Sequence, residues 1–252
     1  MERRSGILAS RNDSASSTIQ LTGGLGAFCI APARDLRMIR RLFEKKSENN
    51  PSANGPTGPK YPRYSGGWVA LRKRLQTEPG LRVIDAGATS PNNINYLTDL
   101  GHSIFLCDPV NEALTGNWVA GKDEDENPIW NVASYLDHTL QFSGRTFDAV
   151  LLWTALDYLP EPLVAPVVDH LYAAMNPGGQ VLAFFHARSK EEETAYCRFH
   201  VTPTDDVEMQ LAQPFPIQRA FTNRSIQALF SRWSGFRQFL AKDGVYEVLI
   251  TR

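Results

Sequence analysis

From residue 81 onward, short and almost continuously apolar runs recur, and segments of helical periodicity or turn signals separate them. Leu81-Arg82-Val83-Ile84, Ser103 to Cys107, Phe147 to Leu152 and Gln180 to Phe185 read as strands. Asn92 to Leu100, stopped by Gly101, and Leu163 to Met175, closed by Asn176-Pro177-Gly178-Gly179, read as helices. Trp68, Leu71 and Leu75 add a helix face ahead of Pro79-Gly80. Strands that are apolar throughout are covered on both faces, so the alternation predicts an α/β domain with a mostly parallel, doubly wound sheet. The end differs: a helix over Ser225 to Trp233, a strand over Phe236 to Leu240, an Asp243-Gly244 turn and a last strand over Tyr246 to Thr251 make an antiparallel hairpin.

The chain has 252 residues, and the pattern occupies only part of it. Pro, Gly, Asn and Ser dominate residues 47–67, a composition that buries too little apolar surface to offset its ordering entropy. Residues 1–67 are therefore expected to be a flexible arm and Pro/Gly-rich linker. A short basic helix over 34–46 interrupts it, with Leu36, Ile39 and Phe43 at helical spacing. Residues 68–252 are expected to form the folded domain.

A net charge of −1 argues against a dedicated nucleic-acid binder. Cys29, Cys107 and Cys197 are far apart and form no CxxC pair, which excludes a disulfide framework and suits a reducing cytoplasm. The apolar stretch from Leu21 to Ala33 is too short to span a bilayer, so no membrane partner is expected. The five histidines show no metal-ligand spacing.

Ligands of open α/β sheets bind beyond the carboxyl ends of the strands. The segment Val83-Ile84-Asp85-Ala86-Gly87-Ala88-Thr89-Ser90-Pro91 leaves the first strand at such an end. Gly87 permits a tight turn and close backbone approach, while Ser90 and Pro91 suit an N-cap and first helical residue. The second strand ends in Asp108, whose carboxylate can accept both hydroxyls of a ribose. A nicotinamide-binding G-x-G-x-x-G loop is disfavoured, because Thr89 and Asn92 stand where its later glycines belong.

From about Trp68 to Arg252 the chain resembles the class I S-adenosylmethionine-dependent methyltransferases, which have a Rossmann-like fold. The resemblance rests on Val83-Ile84-Asp85-Ala86-Gly87, Gly101 to Asp108, Phe147 to Trp153, Leu156-Asp157-Tyr158-Leu159-Pro160 and Asn176-Pro177-Gly178-Gly179, together with the terminal hairpin. It implies S-adenosylmethionine as cofactor and methyl transfer to an unidentified small-molecule acceptor. It further implies that Asp85, Gly87, Ala88 and Thr89 border the aminoacyl end and that Asp108 holds the ribose. Asp137 would follow a third strand near the adenine, and Trp153 and Thr154 would line the transfer pocket. Two further glycines usual in the family's loop are Thr89 and Pro91 here. A lost hydrogen bond at such a position costs about 1–3 kcal/mol, or roughly 5- to 150-fold in affinity.

A sulfonium leaving group departs neutral, so methyl transfer needs mainly in-line positioning, with a base where the acceptor is an oxygen or nitrogen. His186, after the fifth strand at the ligand end of the sheet, is the candidate base. The insertion from Ser189 to Asn223, with Tyr196, Phe199 and His200, is expected to cover the pocket. Thr89 and Pro91 also leave open a catalytically inactive relative that acts as a binding or scaffold protein.

Overall fold

The structure, a computed structural model, describes residues 58–187, 195–239 and 243–252. The basic helix expected over 34–46 lies outside the described residues, as does the rest of 1–57. After β1 (Lys60–Tyr64) and α1 (Gly66–Thr77), the chain alternates through β2 (Arg82–Ala86), α2 (Pro91–Asp99), β3 (Ser103–Cys107) and α3 (Pro109–Thr115). A hairpin of β4 (Val119–Lys122) and β5 (Pro128–Trp130) precedes α4 (Val132–Thr139), β6 (Phe147–Trp153), the one-turn α5 (Ala155–Tyr158) and α6 (Glu161–Ala174). Then come β7 (Met175–His186), β8 (Tyr196–Val201), β9 (Asp206–Gln213), α7 (Asn223–Leu229), β10 (Gly235–Phe239) and β11 (Val245–Thr251).

Helix starts are written locally. The side chains of Ser65, Ser90 and Asp108 cap α1, α2 and α3, and proline follows the cap in the latter two. After α2, Gly101 takes φ of +81° and reverses the chain into β3, a conformation that costs glycine nothing.

The main sheet has the order β10-β11-β7-β6-β2-β3. β3, β2, β6 and β7 run parallel, while β11 is antiparallel to both its neighbours, β7 and β10. Strand order reverses between β2 and β6, which opens a crevice at their carboxyl ends. Adjacent residues of these strands serve opposite layers. Val83, Leu151, Leu182 and Phe184 pack with Trp68 and Leu71 of α1, whereas Ile84, Leu152, Val181 and Phe185 pack with Leu163 and Val167 of α6. Both faces of the central strands β2, β6 and β7 are covered, which is why their runs lack polar alternation. None of the described helices is long and apolar enough to cross a membrane.

Several local expectations change. Residues 60–67, compositionally part of the linker, form β1 and the start of α1. β1 pairs antiparallel with β9, which in turn pairs with β8, in a second, three-stranded sheet. Buried Arg63 pairs with Glu247, and Glu247 also accepts from Ser65 Oγ (2.9 Å) and the Gly67 amide (2.7 Å). Local composition carries no trace of such partners.

Where a third parallel strand was implied, β4 and β5 pair only with each other. Asn176 to Gly179 lies within β7, where Gly178 N and Gly179 O bond the end of the chain at Arg252. α7 stops at Leu229, short of Trp233, and the Ser234 amide bonds Thr251 O as the chain enters β10.

Candidate active site

Asp85 is buried at the carboxyl end of β2. Its Oδ1 accepts from the Trp153 indole at 2.7 Å and its Oδ2 from Asn93 Nδ2 at 2.8 Å. Burial lifts this carboxyl to about 6; the two hydrogen bonds pull it down, and nearby Asp108 pushes it up. Trp153, at the end of β6, has φ of +49°, a backbone conformation unfavourable for a bulky residue. Its ring is held by the bond to Asp85 and by a stacked Phe199, with centroids 5.0 Å apart and planes 6° from parallel. The indole also passes over Gly87, where a Cβ would lie 2.9 Å from Trp153 Cδ1. The crevice between β2 and β6 is thus bridged by one side chain.

Asp108 ends β3 and caps α3. Its Oδ1 accepts the Asn111 amide at 3.0 Å and the Tyr196 hydroxyl at 2.9 Å. Burial raises the Asp108 carboxyl, and these bonds oppose the rise. Tyr196 is buried, and burial with the Asp108 charge holds its phenol well above its ordinary value. The same hydroxyl lies 3.8 Å from the Cβ position of Gly87, so the phenol spans from the glycine to the acid.

The β8–β9 hairpin is clamped to the β2–α2 loop and the first turn of α2. Asn93 donates to Phe199 O (3.0 Å) and accepts the Val201 amide (2.7 Å), and Arg198 Nε donates to Thr89 O (2.5 Å). Ser90 Oγ and His200 Nδ1 lie 2.8 Å apart, and His200 Nε2 and Gln210 Oε1 are 3.0 Å apart. Burial lowers the His200 imidazole, so its neutral form is the one this position favours.

Further along the same edge, buried Asp157 of α5 meets His186 at the end of β7. Asp157 Oδ2 accepts the His186 amide at 2.7 Å and lies 2.7 Å from His186 Nδ1. Burial raises this carboxyl, while the His186 bonds and charge oppose the rise. Tyr158 packs edge-on against both His186 (6.0 Å between centroids) and Tyr196 (5.2 Å).

Of the residues singled out from sequence, Asp85, Gly87, Asp108 and Trp153 come together around Tyr196. Ala88 and Thr154 are buried beside them in the chain, whereas the Thr89 side chain is exposed and plugs nothing. Pro91 is likewise exposed. Asp137 is not brought to the cluster. It sits exposed on α4, because the chain before it forms the β4–β5 hairpin rather than a third parallel strand. Sequence reasoning missed Asn93, which binds both Asp85 and the hairpin. Its only signal was a polar residue at the third position of a helix leaving the strand.

A family model described as a methyltransferase domain matches residues 36–232. The chain belongs to that methyltransferase-domain family. No curated protein matches this methyltransferase-domain chain. Among solved structures it is similar to TehB from Haemophilus influenzae, at 14% identity over 75% of this chain and TM-score 0.41; it spans 62% of the TehB chain. It is similar to magnesium protoporphyrin IX methyltransferase (ChlM) from Synechocystis, with bound SAM, at 13% identity, 73% and 74% coverage and TM-score 0.38. It is also similar to the 1,6-didemethyltoxoflavin-N1-methyltransferase of Burkholderia thailandensis, solved with 1,6-didemethyltoxoflavin and S-adenosylhomocysteine. There identity is 14%, coverage 90% and 92%, and TM-score 0.40.

Proposed function

We propose that this chain transfers a methyl group from S-adenosylmethionine to a small-molecule acceptor bearing a protic oxygen or nitrogen. The observation that carries the reading is the meeting of Asp85, Gly87 and Asp108 where the strand order reverses, in a methyltransferase-domain chain. Two features suit the cofactor. Gly87 carries no side chain, and the space a Cβ would take is covered by the Trp153 indole, so its backbone opens to a ligand once that ring moves. The Tyr196 hydroxyl donates to Asp108 the kind of bond a ribose hydroxyl donates, so the phenol is an internal stand-in for it.

When bound, S-adenosylmethionine supplies an electrophilic methyl on sulfur. Asp108 would hold the ribose hydroxyls in place of the Tyr196 hydroxyl. Gly87, Ala88 and Thr89 offer backbone to the aminoacyl end, with the Asp85 carboxylate beneath. Trp153 and Thr154, at the end of β6, would border the transfer pocket and exclude water from it. His186 takes the proton of the acceptor.

Calorimetry with S-adenosylhomocysteine tests the reading: the wild type binds, and Asp108→Ala abolishes binding. Absence of heat at millimolar ligand overturns it. The closed contacts Tyr196–Asp108 and Trp153–Asp85 favour a second reading, a methyltransferase-like binding protein. That reading prevails if neither the wild type nor Tyr196→Ala binds S-adenosylhomocysteine.

A further inference from the structure

Asp157 is an acid whose surroundings exceed what closing a turn requires. It has no exposed surface, and a single oxygen, Oδ2, meets two nitrogens of one residue, the amide and Nδ1 of His186. Its other oxygen, Oδ1, is buried without a hydrogen-bond partner among the described residues. Its backbone carbonyl accepts the amides of Gln218 (2.8 Å) and Arg219 (3.2 Å). The residue therefore cannot drift away from His186. An ionised carboxylate only accepts, so the His186 proton sits on Nδ1 and Nε2 keeps its lone pair. The His186 side chain remains 23% exposed, whereas Asp157 is sealed. The Tyr158 ring packs against both His186 and Tyr196, the residue on Asp108, and the Tyr158 hydroxyl is buried without a hydrogen-bond partner among the described residues.

We propose that Asp157 is a positioning residue that sets His186 as a base through Nε2 and offsets the imidazolium charge that forms. The inference rests on the reading of His186 as the base for a protic acceptor. In the step, the proton of the acceptor O–H or N–H moves to Nε2 and the bonding pair stays on the acceptor atom. The positive charge that appears on the ring faces the Asp157 carboxylate. A buried carboxylate is most effective here because little water screens it.

The test uses the full chain and needs no acceptor. Imidazole 15N spectra of the wild type show His186 with Nδ1 protonated and Nε2 bare. Acylation of His186 by diethylpyrocarbonate, followed site by site by mass spectrometry, falls about tenfold in Asp157→Asn, as for loss of one charge-assisted hydrogen bond. Asparagine keeps an acceptor oxygen at that place, so an unchanged rate in a folded variant shows a merely structural contact and overturns the proposal. Should Asp157→Asn fail to fold, the wild-type spectrum decides, and a proton on Nε2 overturns the proposal. S-adenosylhomocysteine calorimetry separates the two readings. No binding alongside an Nδ1–H signature sinks methyl transfer and spares the dyad, whereas binding with an unchanged acylation rate does the reverse.

Discussion

The Tyr196 hydroxyl donates to the Asp108 carboxylate at 2.9 Å, although the two residues are 88 positions apart. A buried phenol thus occupies the acid at the end of β3, 3.8 Å from the Cβ position of Gly87. Whatever binds Asp108 through hydroxyl groups competes with this bond.

Removing the competitor is expected to strengthen cofactor binding. Tyr196→Phe keeps the ring and its packing on Tyr158 while deleting the donor. A hydrogen bond to a charged group is worth about 1.5 kcal/mol or more, so S-adenosylhomocysteine should bind roughly tenfold more tightly. Calorimetry of the two proteins side by side measures this, and equal affinities would show that the phenol does not compete.

Asp85 predicts a pH signature. Its carboxyl rises from an ordinary 3.8 to about 6, so the native state binds more protons than the unfolded chain between these values. The associated stability is full below the unfolded value and is lost as pH rises through about 6. Asp85→Asn does not titrate. From about pH 4 to about pH 7 the wild type should therefore lose roughly 2.4 kcal/mol relative to the variant. Urea unfolding at several pH values measures the gap, and a gap independent of pH contradicts the raised carboxyl.

Gly87→Ala probes how firmly the crevice is closed. The new methyl would lie 2.9 Å from Trp153 Cδ1. The indole has little freedom to withdraw, being bonded to Asp85 and stacked on Phe199. Overpacking of this kind costs about 1–3 kcal/mol. Unfolding by urea should show that loss, and undiminished stability would mean that the ring swings free.

Much of the main sheet was legible because its determinants are consecutive residues. Val83-Ile84 and Phe147 to Leu152 announce buried strands by their unbroken apolarity, and Ser90-Pro91 and Asp108-Pro109 announce helix starts by capping chemistry. Asp85, Gly87 and Asp108 followed from the rule that strand ends carry the ligand. Asp137 did not come with them, since its placement depended on a strand that the β4–β5 hairpin replaces.

What occupies the site was decided elsewhere. Pairing of β1 with β9 joins Lys60 to Gln210, and the stacking of Phe199 on Trp153 and the meeting of Tyr196 with Asp108 arise from the same fold-back. Trp153 takes a left-handed backbone conformation, and partners distant in sequence hold its ring. The sequence alone determined which segments become strands and helices and where two acids lie on them, because periodicity and caps act over a few neighbouring residues. Only the tertiary structure decided that an aromatic hairpin closes over those acids, because such contacts depend on long-range pairing and packing that no local pattern encodes.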